Sequence, residues 1–329
     1  MRPTTVGVVS IGDMGLGIAK LLHAHGYRVV TVGEGRSEHT LARIHSAAIE
    51  TLSDQDLVIQ ADYVLSIVPP KHARTTAQRL AEAGRLPDTA TRRQAIEDAA
   101  GQPERSRLYY VELNAIPARM AQEISEELVD ARCHFLDGGI IGGPPQSTQD
   151  GTWTRPSLVL SGTVDLPPTF PPLASVLNMK LVSPQIGAAS TLKLSFAALT
   201  KGLTALSILS FSTAQQESLL PELLEHLDQY SPRTAALARN GVVGMSPKAY
   251  RWVEEMHGIG EAFDTEGGWD GVGGRIYGGF AEIYRSIAED PVLGVERVEN
   301  RTRGTTVDDA AQLIARARHP MSSGGGRGD

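Results

Sequence analysis

TVGVVSIGDMGLGIAKLLHAHGYRVVTV, residues 5–32, decides the fold. Its first seven residues, TVGVVSI, are a short Val-rich run ending in small residues, which suits a strand buried on both faces of a parallel sheet. From Gly15 to His25 the apolar residues Leu16, Ile18, Ala19, Leu21 and Leu22 recur at helical spacing, and Arg28–Val32 is strand-like again. Strand, glycine turn, helix and strand make a βαβ unit. The alternation continues with a strand at 63–68 closed by Pro69 and Pro70, a helix at 71–83, a strand at 109–113, a helix at 117–129, and strands at 134–137, 157–161 and 180–182. This pattern predicts an α/β protein with an N-terminal, doubly wound, Rossmann-type sheet. The polar stretch 84–108 is predicted to decorate its surface.

After Pro184 the pattern changes. Residues 188–214 are almost uncharged and do not alternate, which predicts one long helix. The segments that follow are helical and are broken by Pro221, Pro232, Pro247 and Pro291. The expected domains are therefore 1–185, a dinucleotide-binding sheet domain, and 186–318, an all-α domain for substrate and dimerisation. The Gly-rich tail 319–329 is expected to be disordered. A helix of this length that is apolar all round must be covered, which predicts a homodimer whose helical domains share a core, with the active site in the cleft between domains.

Composition narrows the classes further. The 329 residues exceed one typical domain, and 41% hydrophobic and 21% charged residues describe an ordinary globular chain. A net charge of −7 with no basic face argues against nucleic acid or an anionic membrane as partner. One cysteine, Cys133, excludes an intrachain disulfide and a cysteine-based metal site, and the histidines show no metal-ligand spacing. With no run of apolar residues long enough to read as a span or leader, a cytoplasmic protein with no metal is expected.

Residues 10–17, SIGDMGLG, place Gly12 and Gly15 at the second and third positions of a dinucleotide turn, with Ser10 at the first. Small residues are needed there so that pyrophosphate can reach the backbone N–H groups of a helix N-terminus. Asp13, beside such a site, is expected to face solvent. About 20 residues on, GEGRSEHT (33–40) gives two answers: Glu34 suits the ribose hydroxyls of NAD, whereas Arg36 with Ser37 suits the 2′-phosphate of NADP. We favour NADP and keep NAD open. Asn114 ends the strand-like VELN, where doubly wound sheets place ligand contacts, or else it forms the turn before Pro117.

Four separated motifs resemble the β-hydroxyacid dehydrogenase and phosphogluconate dehydrogenase superfamily, over most of the first 215 residues. GDMGLGIAKLLHAHGYRVV (12–30) is similar to its cofactor turn, including Met14. SIVPP (66–70) resembles the strand end that lies on the nicotinamide side, which implies cofactor contacts at Val68 and Pro69. LDGGIIGGPP (136–145) resembles the substrate loop, implying roles for Asp137, Gly142 and Gly143, with Ile141 where the family has Ser. GAASTLKLSFAALTKG (187–202) is similar to the catalytic helix, implying Lys193 as general acid/base, with Ala197 in place of the family's Asn. The forms DGGIIGGPP and TKG look most like a phosphogluconate-dehydrogenase-like branch with a short helical C-terminal domain.

Only six of the 31 basic residues are lysines, and two of them, Lys193 and Lys201, fall in the apolar helix. Lys193 among Leu192, Leu194 and Phe196 suits a base whose pKa is lowered by apolar surroundings, and Thr200 faces the same side one heptad on. Lys201 either snorkels to water or pairs with an acid. A loose alignment places His257 near a lysine of the family's helical domain, with Arg251, Trp252, Glu255 and Met256 as candidates for the same wall. The expected activity is NADP-dependent interconversion of a hydroxyl and a carbonyl on a small polar, carboxylated substrate. Reduction of an imine or carbonyl on a bulkier, less charged substrate is the second reading, and a non-catalytic nucleotide-binding regulator the third.

Overall fold

The computed structural model describes residues 3–100, 108–131, 133–163, 165–298 and 300–318. Its chain divides into two compact units, Met1–Leu194 and Ser195–Asp329. The expected tail 319–329 lies outside the described residues.

The first unit is built on eight strands: β1 (Thr5–Val9), β2 (Arg28–Val32), β3 (Glu50–Leu52), β4 (Tyr63–Ser66), β5 (Leu108–Glu112), β6 (Cys133–Ile141), β9 (Ser157–Ser161) and β10 (Met179–Ser183). A small ribbon, β7 (Gln146–Ser147) with β8 (Trp153–Thr154), stands apart from them. The sheet order is β3-β2-β1-β4-β5-β6-β9-β10, and all neighbours are parallel except β6 and β9. β1 lies between β2 and β4, with Gly7 opposite Val30 on one side and Val64 on the other, so the chain reverses its winding there. The period of two divides the strand residues between two cores. Val6, Val8, Leu65 and Val111 face α1 (Asp13–Ala24) and α7 (Phe170–Leu177). Val9, Val30, Val64 and Tyr110 face α3 (Asp54–Gln60), α4 (Ala73–Arg85) and α6 (Ala118–Leu128).

Several elements were not legible in the pattern. α2 (Glu38–Ser46) and α3 are short and polar, and each is started by a serine cap: Ser37 Oγ accepts from Thr40 N and Ser53 Oγ from Asp56 N. The stretch expected as surface decoration contains α5 (Pro87–Ala100). Its Arg93 is buried and donates to the carbonyls of Val58 and Ala61 at 2.5 and 2.8 Å, closing the C-terminal end of α3.

The long apolar helix is α8 (Ala188–Gln216). Its Ser and Thr hydroxyls donate back to its own carbonyls, as Thr204 does to Thr200 and Ser207 to Leu203, so few of its polar groups need outside partners. By length and composition it could cross a membrane, yet half of its most apolar window is buried within the chain. The exposed remainder includes Phe196, Leu199, Leu206 and Leu209. The unit boundary falls inside α8, at 194/195, instead of near 185.

The second unit continues through α9 (Leu220–Tyr230), α10 (Pro232–Gly244), α11 (Ala249–Thr265), α12 (Val272–Ala288) and α13 (Val307–Arg318). Asp264 caps α12 by accepting from Gly273 N and Gly274 N. Lys201 pairs with Glu255, its Nζ lies 5.1 Å from the Trp252 ring centroid, and its carbonyl accepts from the Tyr284 hydroxyl. Of the two readings of Lys201, the acid partner is the one realised. Met256 is fully buried in this unit, whereas Thr200, Arg251 and His257 are exposed on their helices.

Candidate active site

The turn after β1 is shaped by a close approach. A Cβ on Gly15 would sit 1.9 Å from the Ser10 carbonyl oxygen, so only glycine lets α1 begin this near the strand end. Gly12 is the N-cap of α1 and supplies no side-chain cap, and nothing lies within 4 Å of where its Cβ would be. The first amides of α1 are thus left for an anion approaching from the strand end. Asp13 is exposed and pairs with Arg43 of α2 at 2.7 Å, and Met14 packs its side chain against the core. Beside this turn the end of β4 runs on into Ile67, Val68 and Pro69, tied to it by Ser10 N donating to Ile67 O. Val68 is buried and Pro69 exposed.

After β2, Glu34 is exposed whereas Arg36 is half-buried, and its Nε is buried with no hydrogen-bond partner. Burial and the neighbouring Arg79 hold the Arg36 guanidinium below its ordinary pKa, with Asp54 opposing them. An unpartnered guanidinium nitrogen and an uncapped helix start in one sheet edge fit a phosphorylated dinucleotide. Ser37 spends its hydroxyl on the α2 cap and remains exposed.

Asn114 turns inward. Its backbone N–H donates to Glu112 Oε1 at 2.9 Å, its side-chain amide donates to the same oxygen and to Ser66 Oγ, and the Tyr110 hydroxyl approaches the other Glu112 oxygen. The side chain expected to contact a cofactor is therefore committed to a buried network, and Asn114 O accepts from Ile116 N in the turn before Pro117. Sequence reasoning missed Glu112; the only signal was a charged residue in an otherwise apolar parallel strand. Burial pushes its carboxyl up to about 7, against hydrogen bonds from Asn114 and Ser66 that draw it down. A folded-state value above the ordinary 4.5 means that the native form binds this proton more tightly, so the associated stability is present below 4.5, declines as pH rises, and is gone above about 7. Glu112→Gln should flatten the fall of the urea midpoint across that window. Equal slopes for the variant and the parent would refute the assignment.

Asp137 corrects the substrate-loop expectation. It lies fully buried in β6, opposite Ser161 of β9, and accepts from Ser161 Oγ at 2.9 Å, Gly187 N and Ser190 N at 3.0 Å, and Ser190 Oγ at 2.5 Å. A carboxylate enclosed by four donors of its own chain is a clamp on the α8 N-terminus and offers no open face to a substrate. Burial raises its pKa, and the Ser190, Ser161 and Gly187 hydrogen bonds pull against that rise. The clamp explains why the first turns of α8 belong to the sheet unit. One turn beyond Ser190, Lys193 lies so close to β6 that a Cβ on Gly139 would be 2.6 Å from its Cβ and 2.9 Å from its Cγ. Lys193 is therefore seated over the C-terminal end of β6, where open α/β sheets bind ligands.

Ile141 ends β6 half-buried, and Gly142 and Gly143 are exposed. The loop then turns back to α1, where a Cβ on Gly17 would meet Pro145 at about 3 Å. The first unit thus gathers the Gly12–Gly15 turn, Val68, Ile141–Gly143 and Lys193 along one sheet edge. Thr200, whose hydroxyl donates to Phe196 O, and His257 belong to the second unit and are described with it.

A doubly wound sheet whose first strand runs through an uncapped glycine turn into a helix is an architecture that binds dinucleotides. Residues 5–88 match the family model described as NADP oxidoreductase, coenzyme F420-dependent, and residues 214–287 match a domain of unknown function, DUF1932. The 3-hydroxyisobutyrate dehydrogenase of Mycobacterium tuberculosis shares 15% identity and a TM-score of 0.63, over 96% of this chain and 100% of that one. The 3-hydroxyisobutyrate dehydrogenase of Salmonella typhimurium shares 15% at a TM-score of 0.59, over 94% and 99%. A reductive aminase from Aspergillus terreus, solved with NADPH and ethyl levulinate, shares 13% at 0.51, over 95% and 99%. No curated protein sequence matches significantly. Residues 5–88 are thus similar to an NADP oxidoreductase domain, and the chain has the fold of the 3-hydroxyacid dehydrogenases.

Proposed function

We propose that the protein interconverts a hydroxyl and a carbonyl group on a small polar, carboxylated substrate with NADP, using Lys193 as general acid/base. The observation that carries this reading is the clamp: Asp137 fixes the start of α8, and Gly139 gives Lys193 room over β6. When bound, the nicotinamide would supply or accept the hydride. Lys193 would deliver a proton to the carbonyl oxygen in reduction, or take it from the hydroxyl in oxidation. The first amides of α1 would hold the pyrophosphate, with Ser10 and Gly12 lining the turn, while Val68 and Pro69 would bound the nicotinamide side. The half-buried Arg36 and its unpartnered Nε favour NADP; the exposed Glu34 keeps NAD possible as a weaker cofactor. Gly142 and Gly143 would bring backbone amides to the substrate.

Ile141 supports the second reading, an imine or carbonyl reductase for a bulkier, less charged substrate, because an aliphatic side chain cannot hydrogen-bond a carboxylate. NADPH consumption with paired panels separates the two: keto acids and aldehyde acids against their uncharged ketone and imine counterparts. Faster turnover of the carboxylated members supports the first reading, and faster turnover of the uncharged members replaces it with the second.

We further propose a cytoplasmic homodimer that covers the exposed Phe196, Leu199, Leu206 and Leu209 side of α8. Leu199, 77% exposed on a nearly uncharged helix, is the position whose burial a second copy would most improve. Light scattering should give twice the chain mass of 35.2 kDa, and Leu199→Glu should shift the population to monomer. A monomeric parent protein would end this proposal.

A further inference from the structure

Resting on the NADP reading above, we infer that Arg79 of α4 is a second arm of the 2′-phosphate site and that Asp54 of α3 holds it in place. Three separate elements converge there: the segment after β2 with Glu34 and Arg36, the first residue of α3, and the middle of α4. Arg79 Nε lies 3.1 Å from Asp54 Oδ2, an ion pair without the alignment of a hydrogen bond. Arg79 Nε and Nη2, Arg36 Nε and Asp54 Oδ1 are all buried atoms without a hydrogen-bond partner. Arg28 finds its acceptor on Glu50, and Arg93 donates to the carbonyls of Val58 and Ala61 although its Nε is likewise buried without a partner; what sets Arg36 and Arg79 apart is that both lie beside the one Asp54 carboxylate.

The same four charged groups feel one another. Burial, the largest influence, raises the Asp54 carboxyl above its ordinary pKa with help from Glu34, while Arg79 and Arg36 pull against that rise. Arg79 lowers the Arg36 guanidinium, although burial is again the larger cause. Two guanidiniums sharing one carboxylate leave donors that a multiply charged oxyanion can take, and planar guanidinium forks suit phosphate oxygens. A nucleotide lacking the 2′-phosphate gives Arg79 nothing to bind, so the residue acts on cofactor choice and not on the reaction.

The test is fluorescence titration of the full chain with NADPH and NADH, together with calorimetry using 2′,5′-ADP and 5′-AMP. Arg79→Met should weaken NADPH and 2′,5′-ADP by between about tenfold and about a hundredfold, the value of one charge-assisted contact. NADH and 5′-AMP should stay within about twofold, as expected for ligands that never reach this side chain. Arg79→Lys, which keeps the charge and loses the fork, should fall between. Equal weakening of both nucleotide pairs, or no weakening of either, overturns the role of Arg79 while leaving the proposed function standing. A parent protein that binds neither dinucleotide overturns both.

Discussion

Lys193→Met lowers kcat by about three orders of magnitude and leaves NADPH affinity within about twofold, the range that loss of a positioned general acid/base produces. Methionine keeps an unbranched apolar stem, so packing over Gly139 survives and only the proton-carrying group is removed. The cofactor turn is untouched because Gly12–Gly15 and Arg36 lie on other elements. The kcat of Lys193→Met, measured beside the NADPH dissociation constant, separates proton transfer from binding. A variant with near-normal kcat removes Lys193 from the chemistry, and one that loses NADPH affinity in the same proportion makes it a binding residue.

Asp137→Ala is the second large effect. It leaves the N–H groups of Gly187 and Ser190 and the hydroxyls of Ser161 and Ser190 buried around a void where four hydrogen bonds ended. Orphaned buried donors of this kind cost about 4 kcal/mol in total, allowing for partial relaxation. Because the same contacts fix the start of α8, kcat should fall as well, although no catalytic atom has been removed. Asp137→Asn, which retains one acceptor oxygen, should lose roughly half as much stability. Urea unfolding followed alongside kcat decides the matter. A loss below about 1 kcal/mol for the alanine variant would show that the carboxylate is not the clamp described.

The legible part of this protein is the part whose physics is local. Val-rich runs ending in glycine, an apolar helical repeat in 15–25 and the uncharged stretch 188–214 each declare their element within a few residues, and β1, α1, β2 and α8 follow. α2 and α3 escaped because HTLARIHS and DQDLVIQ are short and polar, and their starts depend on single serine caps. α5 escaped because its anchor, Arg93, is a charge whose partners are carbonyls more than 30 residues away. The site divides in the same way. The glycines stand out by spacing and Lys193 through the resemblance of 187–202 to the family's catalytic helix, whereas the meaning of Asp137 depends on Ser161 and Ser190, which only the folded sheet brings to it. Arg79 and Glu112 carried no motif at all; their interest lies in what surrounds them, unpartnered nitrogens in one case and a buried hydrogen-bond network in the other.

The central claim, that this chain moves a hydride between a nicotinamide and a carbonyl carbon, is tested most directly with NADPH deuterated on either face of nicotinamide C4. The carbonyl and imine panel is incubated with the parent protein and the products are read by mass spectrometry. Deuterium on the reduced carbon, from one face of the label only and lost in Lys193→Met, is the predicted result. Saturable NADPH binding with no deuterium in any product would contradict it and leave a nucleotide-binding protein without this chemistry.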